Sequence, residues 1–316
     1  MVFIQKDVSL KNFSNYKIGG KARYFLEVSN LSELKEGLGK WKRISEILPI
    51  FILGAGTNVL ISDKGFNGLV IHPKIRFIEK TPSTGSKQII SAGSGVLIED
   101  LLVDSVKNSL SGLEWAGGLP GTLGGAIRGN AGAFRGEIKD NIVEVTSFDT
   151  KTLKIEKRGL RDCGLDYRSS VFKGREGEVI ISALLKLKKG NKKDIKNEIK
   201  EKVKYRENRH PLEYPNIGSI FKNIPIEKVP KKLLKELSSS IKDDPFPILP
   251  TAKLLAISGL KGKKAGGAMV SEKHPNFIVN FDNASSADVK TLIYKVTKII
   301  MDKYAITLEE EITYLG

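Results

Sequence analysis

Apolar residues in the first half of the chain come in short runs cut by glycine, a pattern of strands rather than long helices. Tyr24 to Val28, Ile50 to Leu53, Leu69 to His72, Ile75 to Glu79, Gln88 to Ala92, Ile142 to Phe148 and Val179 to Leu187 read as strands. Two stretches carry a helical stripe instead: Leu31 to Ile47, with Asn30 or Ser32 as N-cap, and Leu97 to Asn108, apolar at 97, 98, 101, 102 and 106. A charged, glycine-bearing stretch near Lys188 to Lys193 leads into a long helix, Lys193 to Asn208, which stops ahead of Pro211 because proline disfavours a helical residue before it. The second half adds helices at Lys231 to Ser238, Ala252 to Ser258 and Ser286 to Tyr304, the last apolar at 289, 292, 293, 296, 299 and 300. A strand from Leu308 to Leu315 closes the chain. Strands with interspersed helices, but without strict alternation, give an α+β class. The 316 residues suit about two domains.

Composition narrows the function classes. A 40% hydrophobic content excludes a largely disordered chain. Apolar runs such as Leu48 to Leu53 and Val179 to Leu185 are too short to span a bilayer, and Met1 to Lys11 lacks a signal-peptide core. The lone Cys163 cannot form an internal disulfide, which fits a reducing, cytoplasmic compartment, and His72, His210 and His274 have no metal-like spacing. A net charge of +16 reads either as attraction to an anionic partner or as a lysine-rich solvated surface. The most basic stretch, Lys186 to Lys204, also holds Asp194, Glu198 and Glu201, so neither nucleic acid nor membrane is the expected partner.

Chemistry concentrates in two glycine segments. Residues 117 to 132 contain seven glycines in sixteen positions. Glycine weakens regular structure by roughly 0.5–1 kcal/mol relative to alanine, and bare amides can wrap phosphate oxygens, so a ligand-binding loop is the better reading than ordinary turns. Gly54-Ala55-Gly56-Thr57-Asn58 follows a strand in the manner of a dinucleotide fingerprint, but Val59 stands where G-x-G-x-x-G needs its third glycine. A Rossmann domain is not supported.

Taken in order, Tyr16-Lys17-Ile18-Gly19-Gly20, Leu53 to Leu60, Gly118 to Ala126 and Asn130 to Phe134 resemble the UDP-N-acetylenolpyruvoylglucosamine reductase (MurB) family. So do Tyr167-Arg168-Ser169-Ser170, Gly218 to Asn223, Gly259-Leu260-Lys261-Gly262 and Ser271 to Asn280. The resemblance spans about residues 14 to 316. It implies an FAD-binding fold of the vanillyl-alcohol-oxidase type in residues 1–190, with two subdomains split near 70–90. A smaller α/β substrate domain is then expected in 191–316, with its C-terminal strand carrying a catalytic glutamate. The implied activity is NADPH-dependent reduction of an enolpyruvyl UDP-sugar in peptidoglycan precursor synthesis, by a monomer with non-covalent FAD.

On the same resemblance, FAD is expected on Gly54, Ala55, Gly56, Thr57, Asn58, Gly117, Gly118, Pro120, Gly121, Thr122, Gly124, Gly125, Asn130, Ala131 and Gly132. Arg168 would bind the substrate carboxylate, Ser219 would donate a proton, and Glu311 would assist. Pattern alone does not exclude Glu309 or Glu310 for that last role. Arg209, Lys222 and Asn223 are the expected substrate contacts. Departures from the family pattern are Arg128-Gly129, Ile224, Ile257 and a long 225–250 segment. The competing functions are an FAD oxidase or dehydrogenase of the same fold acting on another substrate, and a basic binding protein without catalysis.

Overall fold

The computed structural model describes residues 2–45, 47–81 and 87–316. The chain forms two compact units. One comprises Met1–Val8, Ala22–Ala55 and Phe66–Arg206; the other comprises Ser9–Lys21, Gly56–Gly65 and Glu207–Gly316.

Among the described residues, the first unit is built on two main sheets, with a small two-stranded pair, Gly132–Ala133 and Gly136–Glu137, beside them. The smaller runs in the order Gln5–Ser9, Lys21–Val28, Phe66–Pro73, Ile50–Ile52, and its last three strands are parallel. The parallel connection passes through the helix Leu31–Ile44, as a crossover requires. Asn30 caps this helix by accepting from Glu33 N at 2.9 Å. The helix buries Leu34, Leu38 and Trp41 against Tyr24, Leu26, Leu69 and Ile71. The larger sheet is antiparallel, ordered Ile155–Gly159, Ile142–Asp149, Glu178–Lys189, Lys87–Gly93, Ile78–Lys80. Its face packs on the helix Ile98–Lys107 and the short helix Leu123–Gly129 through Ile90, Leu101, Leu102, Leu123, Ile127, Ile142 and Leu185. The parallel strands match the runs expected at Tyr24 to Val28, Ile50 to Leu53 and Leu69 to His72, whereas the strand Ile155–Gly159 did not stand out in the hydrophobic pattern, since it is mostly charged and carries little apolar surface.

The second unit gathers small antiparallel sheets around the helix Ser286–Tyr304. That helix starts with a capping box between Ser285 and Asp288 and ends at Ala305 in a left-handed conformation. It buries Val289, Leu292, Ile293, Val296 and Ile300, the expected stripe, while Ile299 is partly covered.

The boundary expected at 190–191 falls elsewhere in the structure. Lys192–Arg209 is one helix, and Arg206 near its end donates from Nε to Gly117 O at 2.8 Å, which keeps it in the first unit. Two early segments join the second unit for equally local reasons. The Tyr16 hydroxyl donates to Ile278 O at 2.8 Å, and Asn280 Nδ2 returns a bond to Tyr16 O at 3.0 Å. Asp63 accepts from Ser286 N at 2.8 Å at the start of the long helix, and Val59–Ile61 pairs parallel with Thr313–Leu315. The subdomain split expected near 70–90 takes in residues 82–86, which lie outside the described residues.

Two further expectations change. The strand foreseen over Leu308 to Leu315 is regular only in Thr313–Leu315; residues 308–312 are extended chain with a single bridge at Glu310. The basic helix Lys192–Arg209 buries only Ile195 and Arg206, so its lysines form a solvated face, as the interleaved acids suggested.

Burial in the second unit also sets a pH dependence. His274 is pushed down to about 4 by burial, with Arg209, Lys242 and Lys261 adding positive charge around it. The unfolded chain therefore takes up a proton below about 6.5 that the folded chain refuses until about 4. Stability should fall as pH falls through that window, and His274→Gln should flatten this part of the fall. Chemical denaturation at several pH values checks it; parallel slopes for parent and variant would exclude His274 as the cause.

Candidate active site

In the first unit Gly54, which with Ala55 opens the first expected glycine segment, approaches the second; Gly56 to Asn58 belong to the second unit. A Cβ added to Gly54 would meet Thr122 Oγ1 at 3.0 Å, and nothing else within contact range. The approach is fixed from behind: Leu53 N donates to Ile71 O at 2.9 Å, and His72 Nδ1 donates to Leu53 O at 2.8 Å. Behind the second segment, Ile98 N bonds Gly121 O at 3.0 Å, Leu123 N bonds Val96 O at 2.8 Å and Gly124 N bonds Ser94 O at 2.9 Å. Among the described residues, the amides of Gly54, Ala55, Gly118, Gly121 and Thr122 make no backbone hydrogen bond. Gly118 and Gly121 have φ of 70° and 125°, conformations that side chains resist.

Several features of this cradle fit a large anionic, hydrogen-bonding cofactor such as FAD. The unpaired amides can face phosphate oxygens. A Cβ at Gly125 would meet only Thr122 Oγ1 at 3.4 Å, and one at Gly129 would meet nothing, so the protein itself gives no reason for glycine at either place. Ser94 Oγ and Trp115 Nε1 are buried without a hydrogen-bond partner among the described residues, and such groups ordinarily find one.

Other expected residues have structural tasks. Asn130 is fully buried at φ 41°, ends the helix Leu123–Gly129 and donates from Nδ2 to Asp166 O at 2.9 Å. That bond holds the turn bearing Arg168, which is closed by reciprocal bonds between Asp166 and Ser169. Arg168 itself sits at φ 52°, an uncommon conformation for a residue with a side chain. Its Nη2 donates to Gly132 O at 2.8 Å, its guanidinium lies 5.2 Å from the Tyr167 ring centroid, and Lys173 Nζ donates to its carbonyl at 2.6 Å.

The sequence did not single out Arg206, yet the structure places it directly beneath this loop. It is 9% exposed, its Cδ lies 3.0 Å from where a Gly118 Cβ would be, and its Nη2 is buried without a hydrogen-bond partner. Burial first, and then the charge of Arg168, lower it to about 10, so it remains a cation near neutral pH. A lone arginine on a polar helix carries no pattern that would mark it out.

In the second unit, Ser219, Lys222, Asn223 and Glu311 are brought together by chain pairing. Phe221 bridges Glu310, Lys222 N bonds Glu309 O at 2.8 Å and Glu311 N bonds Ile220 O at 2.8 Å. From the other side Ser219 bridges Phe277, and Asn276 holds Phe221 with both ends of its buried amide, at 3.1 and 2.8 Å. Gly218 at φ 83° turns the chain just ahead of Ser219. Ser219 is half-buried. Lys222 pairs with Glu309, and Asn223 Oδ1 accepts from Thr251 N at 3.2 Å at the start of the helix Thr251–Ile257. Arg209 lies close enough to His274 to influence its titration.

Comparison with known proteins agrees with this layout. Residues 44–152 match the family model described as an FAD binding domain, and residues 210–315 match that of the UDP-N-acetylenolpyruvoylglucosamine reductase C-terminal domain. The UDP-N-acetylenolpyruvoylglucosamine reductase of Carboxydothermus hydrogenoformans is 37% identical over 308 residues, covering 97% of this chain and 92% of the relative. That of Clostridium novyi is 34% identical over 313 residues, covering 99% and 92%. The crystal structure of the reductase from Thermus caldophilus superposes with a TM-score of 0.78 at 26% identity, covering all of both chains. The α+β class with an FAD-binding half, expected from the motifs, therefore holds.

The cradle can be tested where the protein is indifferent to a side chain. Gly125→Leu should leave apo-protein unfolding nearly unchanged, because Gly125 is exposed and its Cβ direction nearly open. It should weaken FAD binding about tenfold or more, a loss of roughly 1.4 kcal/mol, read by quenching of flavin fluorescence. Unchanged FAD affinity would place the cofactor away from this loop. The FAD-binding and C-terminal-domain matches, with relatives 34–37% identical over more than nine-tenths of both chains, make this chain a member of the UDP-N-acetylenolpyruvoylglucosamine reductase family, an oxidoreductase family.

Proposed function

We propose that this chain reduces UDP-N-acetylglucosamine enolpyruvate to UDP-N-acetylmuramate with NADPH, in the cytoplasm and as a monomer, for peptidoglycan precursor synthesis. The observation that carries the proposal is the bond from Glu311 N to Ile220 O, which sets the expected assisting carboxylate residue beside the expected proton donor. The relatives' coverage of more than nine-tenths of their length supports the same substrate.

The chemistry FAD supplies when bound is hydride transfer, from NADPH to flavin N5 and from N5 to the terminal carbon of the enolpyruvyl double bond. The chain's residues do the rest. The bare amides of Gly54 and Ala55 and of Gly118, Gly121 and Thr122 would hold the cofactor's diphosphate, with Gly56, Thr57, Gly117, Pro120, Gly124, Gly125, Asn130, Ala131 and Gly132 shaping its surroundings, while the Asn58 side chain is engaged with Glu311 O instead. Arg168 binds the substrate carboxylate. Hydride arrival leaves negative charge on the adjacent carbon and that carboxylate, and a planar guanidinium fork matches both oxygens. The strained turn and the bond to Gly132 O fix the fork beforehand, so little reorganisation is needed as charge develops.

Ser219 Oγ gives its proton to the carbon next to the carboxylate, completing the saturated lactyl group. A serine hydroxyl is a weak acid, so this step needs charged help. Glu311 supplies it from the adjoining segment, and the serine recovers its proton from solvent. Arg209, Lys222 and Asn223 bind the nucleotide-sugar. For Asn223 that role adds to its bond with Thr251.

Stopped-flow measurement of the two half-reactions tests these roles together. Ser219→Ala should bind FAD and accept electrons from NADPH normally, while reoxidation by the enolpyruvyl sugar slows by about 10²–10⁴-fold, the usual weight of general acid catalysis. Arg168→Lys keeps the charge but loses the fork, and should slow the same half-reaction with much less effect on the NADPH step. Parent rates of reoxidation in either variant would remove that residue from the mechanism.

A further inference from the structure

Asn58 belongs by motif to the glycine turn assigned to FAD, yet its side chain is engaged elsewhere. Asn58 Nδ2 donates to Glu311 O at 3.1 Å, and Asn58 O accepts from Thr313 N at 3.0 Å. Glu311 N in turn donates to Ile220 O at 2.8 Å. The peptides flanking Glu311 are thus gripped from two sides, by the residue next to Ser219 and by the amide of Asn58. This matters because residues 308–312 form no regular strand; the ladder that would otherwise fix them begins only at Thr313. Extended chain without a ladder moves easily unless side chains hold it. Asparagine suits the place. It is a short neutral donor, whereas aspartate would set a carboxylate against a carbonyl oxygen and leucine would fill the volume without a donor.

We propose that Asn58 is a positioning residue for proton transfer: its amide holds Glu311 against Ile220, the residue next to Ser219. The proposal rests on the reading of Ser219 and Glu311 given above, and it assigns to the end of the cofactor-binding motif a task in the substrate half-reaction.

Asn58→Leu in the full-length protein tests it. FAD affinity and flavin reduction by NADPH should stay within about twofold of the parent. Reoxidation by UDP-N-acetylglucosamine enolpyruvate should slow by roughly 10–100-fold at saturating substrate, the scale of a small misplacement of a reacting group. Added to Glu311→Gln, the change should cost almost nothing more, because both act through one group. Should Asn58→Leu fail to fold, Asn58→Asp gives a second readout. Its carboxyl can donate only when protonated, so its reoxidation rate should recover toward the parent as pH falls, which a general structural lesion would not produce. Weakened FAD binding with parent reoxidation at saturating FAD, full additivity with Glu311→Gln, or no recovery of Asn58→Asp at low pH would each overturn the proposal. Parent reoxidation in Glu311→Gln alone would overturn it at its premise, by showing that Glu311 itself has no part in the step.

Discussion

The second unit depends on one short antiparallel clasp. The segment from Ser219 to Lys222 lies between Asn276–Phe277 on one side and Glu309–Glu311 on the other, and almost every bond involved is made by backbone or by a buried amide. Backbone pairing fixes the arrangement closely, as the proposed proton transfer would require. A catalytic group on a free loop could drift by an ångström, and rate is sensitive to displacements of that size. Breaking the clasp would also strand the buried Asn276 amide and the Phe221 peptide, each costing about 1–3 kcal/mol when left without a partner. Stability and geometry therefore reinforce each other here.

The first unit solves the opposite problem. Its candidate cofactor surface must keep groups unpaired until a ligand arrives, so the fold satisfies the other side of each loop and leaves one face bare. Leu53, Gly121, Leu123 and Gly124 are pinned from behind by Ile71, His72, Ile98, Val96 and Ser94. Glycine at 118 and 121 takes the backbone conformations that such a loop needs. Beneath it, Arg206 places a buried positive charge whose Nε donates to the Gly117 carbonyl and whose Nη2 has no hydrogen-bond partner among the described residues. A buried cation without a carboxylate is costly, and an anionic ligand on the loop would relieve that cost.

Local pattern made some of this legible. The helices Leu31–Ile44 and Ser286–Tyr304 announce themselves by an apolar stripe and a capping residue, and both caps form as hydrogen bonds. The glycine density of residues 117–132 pointed to a ligand loop, and at Gly118 and Gly121 the backbone takes positive φ values that side chains resist. Long-range pairing left no such trace. Nothing near Ser9–Lys21 or Gly56–Gly65 in sequence says that Tyr16 and Asp63 will bond to residues beyond 270, so the boundary at 190 missed them. The 308–312 segment was expected as the start of the terminal strand, but it carries a single bridge, at Glu310. Asn58 looked like part of a phosphate turn because a motif records residue order, and its amide's partner lies at the far end of the chain.

The central claim is that this chain passes electrons from NADPH through bound FAD to an enolpyruvyl UDP-sugar. The most direct test is an anaerobic titration of the FAD-loaded protein. NADPH should bleach the flavin, and UDP-N-acetylglucosamine enolpyruvate should restore its colour with one UDP-N-acetylmuramate formed per flavin. UDP-N-acetylglucosamine without the enolpyruvyl group should leave it bleached. A flavin that stays reduced with the enolpyruvyl sugar, or that is reoxidised equally by both sugars, would contradict the account.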